Sequence, residues 1–174
     1  SIRNNIICDD MISMLNSRVG KNFPKGKLSV LLTTTNKAAE MYNEKFLNMI
    51  ESEEKVFTAE TEDIDRLLNF PANYELKLKE GAQVMMLNND PQNRWVNGSL
   101  GIIKSIREDE SCGKRIVYVK MRNGKIEAIE PHKWELFKYK WNEQLKQVET
   151  ESAGYFSQYP MKLAWAVTIH KSQG

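Results

Sequence analysis

Two short segments carry the residue types from which a binding edge can be built. Thr33, Thr34, Thr35 and Asn36 follow directly on the apolar run at residues 28–32. Thr168, Ile169, His170, Lys171, Ser172, Gln173 and Gly174 follow directly on the apolar run at residues 161–167. Each is a buried-strand candidate ending in hydroxyls and amides, and the second adds an imidazole and an ammonium. In open parallel sheets, ligands bind outside the carboxyl ends of the strands. If the two runs are parallel neighbours, both polar clusters face one edge. The first cluster also opens a helix, whose free N–H groups and positive dipole end attract phosphate. Hydroxyls, amides and one or two cations along an edge suit a polyanionic backbone better than they suit bond cleavage. Each cluster has a plainer alternative. Threonines before a helix serve more often as caps. The second cluster could be a polar turn, although His, Lys, Ser, Gln and Gly together are costly to place without a task.

Other constellations are weaker. Phe137, Tyr139 and Trp141 alternate with Lys138 and Lys140, which could make a base-stacking strand with a basic opposite face. The commoner use of such a stripe is barrel core with solvated lysines behind it. Trp95 beside Arg94 is either a stacking contact or, more commonly, a loop aromatic packed on its own barrel. His132 reads as a surface or interface residue without a catalytic role, and Glu108, Asp109 and Glu110 as a solvated turn. No metal-ligand spacing appears, and no nucleophile has an obvious base. A Gly-x-x-x-x-Gly-Lys-Ser/Thr phosphate loop is absent, so this chain alone is not expected to hydrolyse a nucleotide.

The elements that must position these residues follow from periodicity. Met11, Ile12, Met14, Leu15 and Val19 predict a helix over residues 9–19, with Asp9 or Asp10 to start it and Gly20 to stop it. Residues 28–32 have strand length. Residues 37–50 are the best helix, with Ala38, Ala39, Tyr42, Phe46, Met49 and Ile50 on one side and Thr35 or Asn36 as cap. Residues 55–59 are expected to be a second strand of this layer, completing the βαβ pattern of a parallel sheet. From about residue 76 the period changes. Residues 84–87, 101–106, 115–121, 125–129 and 136–141 are short strand candidates separated by turn signals, of which Asn123-Gly124 is the clearest hairpin. Such spacing suggests a small antiparallel barrel. The unbroken apolar run at residues 161–167 suits one strand buried on both faces. The expected architecture is therefore an α/β layer interrupted by a β-rich insert.

Two stretches resemble the carboxyl-terminal half of the Pif-type, RecD-like DNA helicases of superfamily 1B. One is residues 80–90 followed by residues 94–101 (Glu80-Gly81-Ala82-Gln83 onward to Gly101), and the other is residues 156–174. Leu31, Leu32, Thr33, Thr34, Thr35 and Asn36, with Asn43 further along, are similar to the family's fourth motif, and residues 168–174 to its fifth. The resemblance implies a partial RecA-like, P-loop-type parallel-sheet domain interrupted by a small Src-homology-type β-barrel. Residues 1–75 would begin the second motor domain, 76–152 form the insert, and 153–174 return to the motor domain. By resemblance Thr34, Thr35, Asn36, Thr168, His170, Lys171 and Ser172 contact single-stranded DNA, while Gln173 and Gly174 help couple DNA to the nucleotide cleft. The implied activity is an ATP-dependent DNA helicase, with roles in DNA repair and recombination. ATP and Mg2+ would be bound with the first motor domain, which this chain lacks. The family's sixth motif and its arginine would follow Gly174, so a segment of a longer protein, inactive alone, is expected.

Composition sets wider bounds. The 174 residues are 41% hydrophobic and 28% charged, an ordinary globular balance for about one domain with an insert. The longest apolar stretches fall well short of the ~18 residues of a membrane span. No apolar leader with a small-residue cleavage site appears, so a cytoplasmic, monomeric protein of bacterial type is the expectation. Cys8 and Cys112 are too few for a disulfide framework or a zinc knuckle. A net charge of +2 does not by itself imply nucleic acid. Two further readings remain at this point: a non-catalytic single-stranded nucleic-acid-binding module, and a protein-interaction scaffold.

Overall fold

The helix that follows the first polar cluster forms where its cap is strongest. In the computed structural model, which describes residues 9–17, 19, 28–62, 70–108, 113, 115–142 and 146–169, α2 (Asn36–Asn48) begins at an extended Thr35 whose Oγ1 accepts the Ala38 N–H at 3.2 Å. This satisfies one of the four unpaired donors of the first turn. Ala39 and Leu47 are its buried residues. α1 (Asp9–Asn16) is shorter than expected and starts on Asp9 and Asp10. Its Ile12 and Met14 are exposed rather than buried.

β1 (Leu31–Thr33) lies parallel to β12 (Ala166–Thr168), with Leu31 opposite Ala166 and Thr33 opposite Thr168. β2 (Lys55–Thr58) does not join this pair as the βαβ pattern suggested. It runs antiparallel to β4 (Glu75–Leu78), with Phe57 opposite Leu76. The reason lies in its alternation: Phe57 is buried whereas Val56 and Thr58 are exposed, and a strand with one dry face belongs in a half-solvated antiparallel ribbon.

The largest sheet is antiparallel and has the order β11 (Met161–Leu163), β5 (Gln83–Met86), β6 (Leu100–Glu108), β7 (Arg115–Met121), β8 (Ile126–Ile129). A second sheet has the order β3 (Glu60–Glu62), β10 (Gln147–Gln158), β9 (His132–Asn142). The run at residues 161–167 is two strands, not one. β11 pairs antiparallel with β5 and β12 pairs parallel with β1, so the chain changes partner at Ala164 and Trp165. The Ala164 N–H still reaches Gln83 O at 3.0 Å, and the Trp165 carbonyl already accepts from Leu31 N–H at 2.7 Å.

The main core joins Leu76, Val84, Met86, Ile103, Val117 and Met161 with Leu47 from α2. Trp95 is buried in it, as a loop aromatic packed on its own domain. Phe137, Tyr139 and Trp141 are exposed, contrary to the barrel-core placement that is commoner for such a stripe. At Asn123-Gly124 the chain does turn between β7 and β8. The Gly124 N–H donates to Met121 O, and Gly124 takes φ +89 while Asn123 does not have positive φ. The loop is thus a turn closed by a left-handed glycine.

Gly101 is required by close approach rather than by dihedral freedom. A Cβ there would lie 2.4 Å from Val119 Cγ1 and 3.0 Å from Lys120 O. Gly101→Ala is expected to destabilise the chain by about 1–3 kcal/mol, the usual cost of overpacking, read as a lower urea midpoint. An unchanged midpoint would show that β6 and β7 can separate freely at this position.

Candidate nucleic-acid interface

The parallel register of β1 and β12 brings Thr33 and Thr168, where the two polar clusters begin, to the carboxyl end of one strand pair. Thr33 and Thr168 sit opposite one another, each largely buried. Thr33 Oγ1 lies 3.1 Å from Thr35 O and 3.3 Å from Val167 O, so its hydroxyl tightens the turn out of β1 against the neighbouring strand. Thr34, Thr35 and Asn36 follow on the exposed side of that turn. Thr35 caps α2, yet its hydroxyl only accepts in that bond and keeps its proton to donate. Capping and ligand contact are therefore compatible at this residue. Ile169 is the last described residue, and His170, Lys171, Ser172, Gln173 and Gly174 lie outside the described residues.

Asn43 fixes β12 from the helix side. Its Nδ2 donates to Ala166 O at 2.9 Å, and its Oδ1 accepts the Ala166 N–H at 2.8 Å. One side chain thereby supplies what a further strand would supply to Ala166. Gln83, buried in β5, performs a similar task for the approach to the edge: Nε2 donates to Ser29 O at 2.8 Å and to Ala164 O at 2.7 Å. Its place in a strand amid apolar residues is the signal that it is engaged internally. Neither residue stood out from the sequence as a positioning group. A groove of about 330 Å3 adjoins the edge, between α2 and strands β4, β11 and β12. It mixes Lys77 and Lys162 with Glu40, Glu44 and Glu75.

The described residues of this edge do not by themselves make an ATP·Mg2+ site. The edge offers hydroxyls and amides rather than a glycine-rich phosphate cradle. Among the described residues no cluster of three His, Cys, Asp or Glu is placed to hold a metal. His132 is half-buried against Trp134, ring centroids 4.6 Å apart, and burial lowers its pKa. It sits on β9, outside the β1–β12 pair.

Residues 65–106 match the sequence family described as "DNA helicase Pif1, 2B domain". The ATP-dependent DNA helicase PIF1 of Xenopus laevis is 33% identical over 154 residues, covering 86% of this chain and 22% of that protein. The ATP-dependent DNA helicase Pif1 of Bdellovibrio bacteriovorus is 33% identical over 141 residues, covering 78% of this chain and 29% of that protein. The chain belongs to the Pif1 helicase family. Bacteroides Pif1 in complex with ADP-AlF4 superposes with a TM-score of 0.80 at 28% identity, covering 99% of this chain and 38% of that one. Bacteroides Pif1 bound to single-stranded DNA superposes with a TM-score of 0.73 at 29% identity, over the same shares. The chain thus spans less than a third of those two curated relatives.

Within this Pif1-family chain, the stretch matched to the 2B domain includes a tightly bonded loop between β5 and β6. The Asp90 carboxylate accepts from Arg94 Nη2 at 2.7 Å and Nε at 2.9 Å, and from the Gln92 and Arg94 backbone N–H groups. Arg94 also reaches Ala128 O on β8 and lies over the Trp95 ring. The Arg94 side-chain bond, aided by the backbone donors, holds the Asp90 pKa down to about 2 against the burial that opposes it.

Two outcomes follow for stability. Asn43→Ala leaves the Ala166 N–H and carbonyl without their partner, at a cost of about 1–3 kcal/mol. Denaturant unfolding measures this, and no loss would mean that water replaces the clamp. Asp90 has its folded pKa below its unfolded value, so its contribution is complete above about pH 4 and is lost as pH falls through about 2. Asp90→Asn should therefore flatten the fall of the urea midpoint between about pH 4 and pH 2. An equally steep fall in the variant would assign the acid sensitivity elsewhere.

Proposed function

We propose that this chain supplies the single-stranded-DNA grip, and part of the coupling of that grip to nucleotide hydrolysis, in an ATP-dependent DNA helicase. The observation that carries the reading is the pairing of β1 with β12, which brings the Thr33 and Thr168 ends to one edge. Hydroxyls and amides at such an edge contact a sugar–phosphate backbone without reading its bases. In this reading Thr34, Thr35, Asn36, Thr168, His170, Lys171 and Ser172 contact the strand, and Gln173 and Gly174 help couple it to the nucleotide cleft. ATP and Mg2+ are held with the first motor domain elsewhere in the protein. The names of the relatives support the activity.

The organisation proposed is a RecA-like motor domain begun by residues 1–75, a small Src-homology-type β-barrel at residues 76–152, and a return at residues 153–174. The second boundary falls within β10, at the register shift between Ser152 and Gly154. The whole protein works as a cytoplasmic monomer. Its chain alternates between tight and loose hold on the strand, so each contact must differ in strength between the two states.

The test is ATP hydrolysis by the protein of the complete reading frame, with and without single-stranded DNA. Strong stimulation is expected. His170→Ala should lower the stimulated rate by about 10-fold or more, the scale of a lost charge-assisted hydrogen bond, while nucleotide binding without DNA stays the same. Undiminished stimulation in that variant would remove His170 from the interface, and no hydrolysis by the unaltered protein would overturn the motor reading.

A further inference from the structure

The ribbon made by β9 and β10 carries its apolar residues on different faces along its length. Near its base Trp134 stands opposite Phe156 and packs on it, ring centroids 5.9 Å apart, while Lys133 and Glu135 are exposed. Alternation puts Phe137, Tyr139 and Trp141 on the side of Lys133 and Glu135, away from that core. Their exposures are 53%, 80% and 57%. β10 has its register shift beside this change, between Ser152 and Gly154, and Gly154 takes φ +105. A one-residue shift of this kind exchanges the faces of a strand. Opposite the stripe, Thr150 faces Tyr139 and Val148 faces Trp141, with Val148 also exposed. Among the described residues, none of the three rings packs against another ring, whereas His132, Trp134 and Phe156 all do.

We propose that Phe137, Tyr139 and Trp141 form a stacking platform for the bases of a single nucleic-acid strand, distinct from the β1–β12 edge. This rests on the single-stranded-DNA reading above. Two observations favour bases as the occupant. The stripe is wholly aromatic, and every base presents a π-face to an aromatic ring regardless of sequence. Its rings recur every second residue, about 6.7 Å apart along a strand, a repeat that an extended strand with unstacked bases can follow one base to one ring.

Stacking and phosphate contact differ in their salt dependence, because only phosphate neutralisation releases counterions. The experiment is fluorescence anisotropy of labelled oligothymidine, and of an abasic strand of equal length, with the protein of the complete reading frame across a salt series. Tyr139→Ala should weaken oligothymidine binding roughly 5- to 100-fold. Its affinity for the abasic strand and the slope of log K against log salt should match those of the unaltered chain. Tyr139→Phe, which keeps the ring, should bind as the unaltered chain does. Because Tyr139 is highly exposed, these substitutions should leave the fold intact, which circular dichroism checks. Equal affinity of Tyr139→Ala and the unaltered chain for oligothymidine would overturn the platform alone and assign the stripe to a protein partner. Failure of the unaltered chain to bind any single strand would overturn both this proposal and the DNA reading beneath it.

Discussion

A short parallel strand pair holds together parts of the chain that are more than a hundred residues apart. Leu31–Thr33 and Ala166–Thr168 offer only three residues each, too few to define a sheet by ladder bonds alone. Side chains complete the job: Asn43 closes the β12 edge from the helix, Gln83 clasps both approaches from the five-stranded sheet, and the Thr33 hydroxyl ties the exit turn to Val167. Long-range closure of this kind costs chain entropy before any contact offsets it. The many polar bonds converging here therefore hold in place the edge to which the proposed grip belongs.

The three sheets outside that pair are organised by buried glutamines as much as by apolar packing. Gln158, 2% exposed, donates to the carbonyls of Phe57, Asn73 and Tyr74 and accepts the Tyr159 N–H. It thus joins β10 to the β2–β4 ribbon. Tyr159 is buried beside it and donates to the Arg115 carbonyl, and burial pushes its pKa up to about 12. A polar group in such a place specifies one arrangement, since any slip of register leaves it unsatisfied.

Local features were readable where the signal was local. Thr35 caps α2 as its type and place suggest, Arg115–Met121 forms a strand over the expected residues, and Asn123-Gly124 turns the chain. The parallel neighbourhood of the two strands that lead into the polar clusters, posed as a condition in the sequence, is present. Partner choice was not readable. Nothing in residues 55–58 states that they pair with residues 75–78 instead of with β1. Residues 147–158 dilute Val148, Thr150, Tyr155 and Phe156 with Glu, Ser, Ala and Gly, and they become β10 through their long pairing with β9. The Asn43 clamp spans 123 residues and leaves no periodic trace. The aromatic stripe was visible as a pattern, but which face of the ribbon meets the core depends on a register shift in the partner strand.

The change of partner at Ala164 and Trp165 has a mechanical consequence. β11 and β12 are consecutive strands with only these two residues between them, yet they are built into different sheets. A linker that short has almost no slack, at about 3.5 Å per residue when fully extended. The five-stranded sheet therefore cannot move away from the β1–β12 edge at this point by more than a few ångströms. Any rotation of one against the other must pass through the backbone dihedrals of these two residues, which makes this junction a pivot rather than a tether.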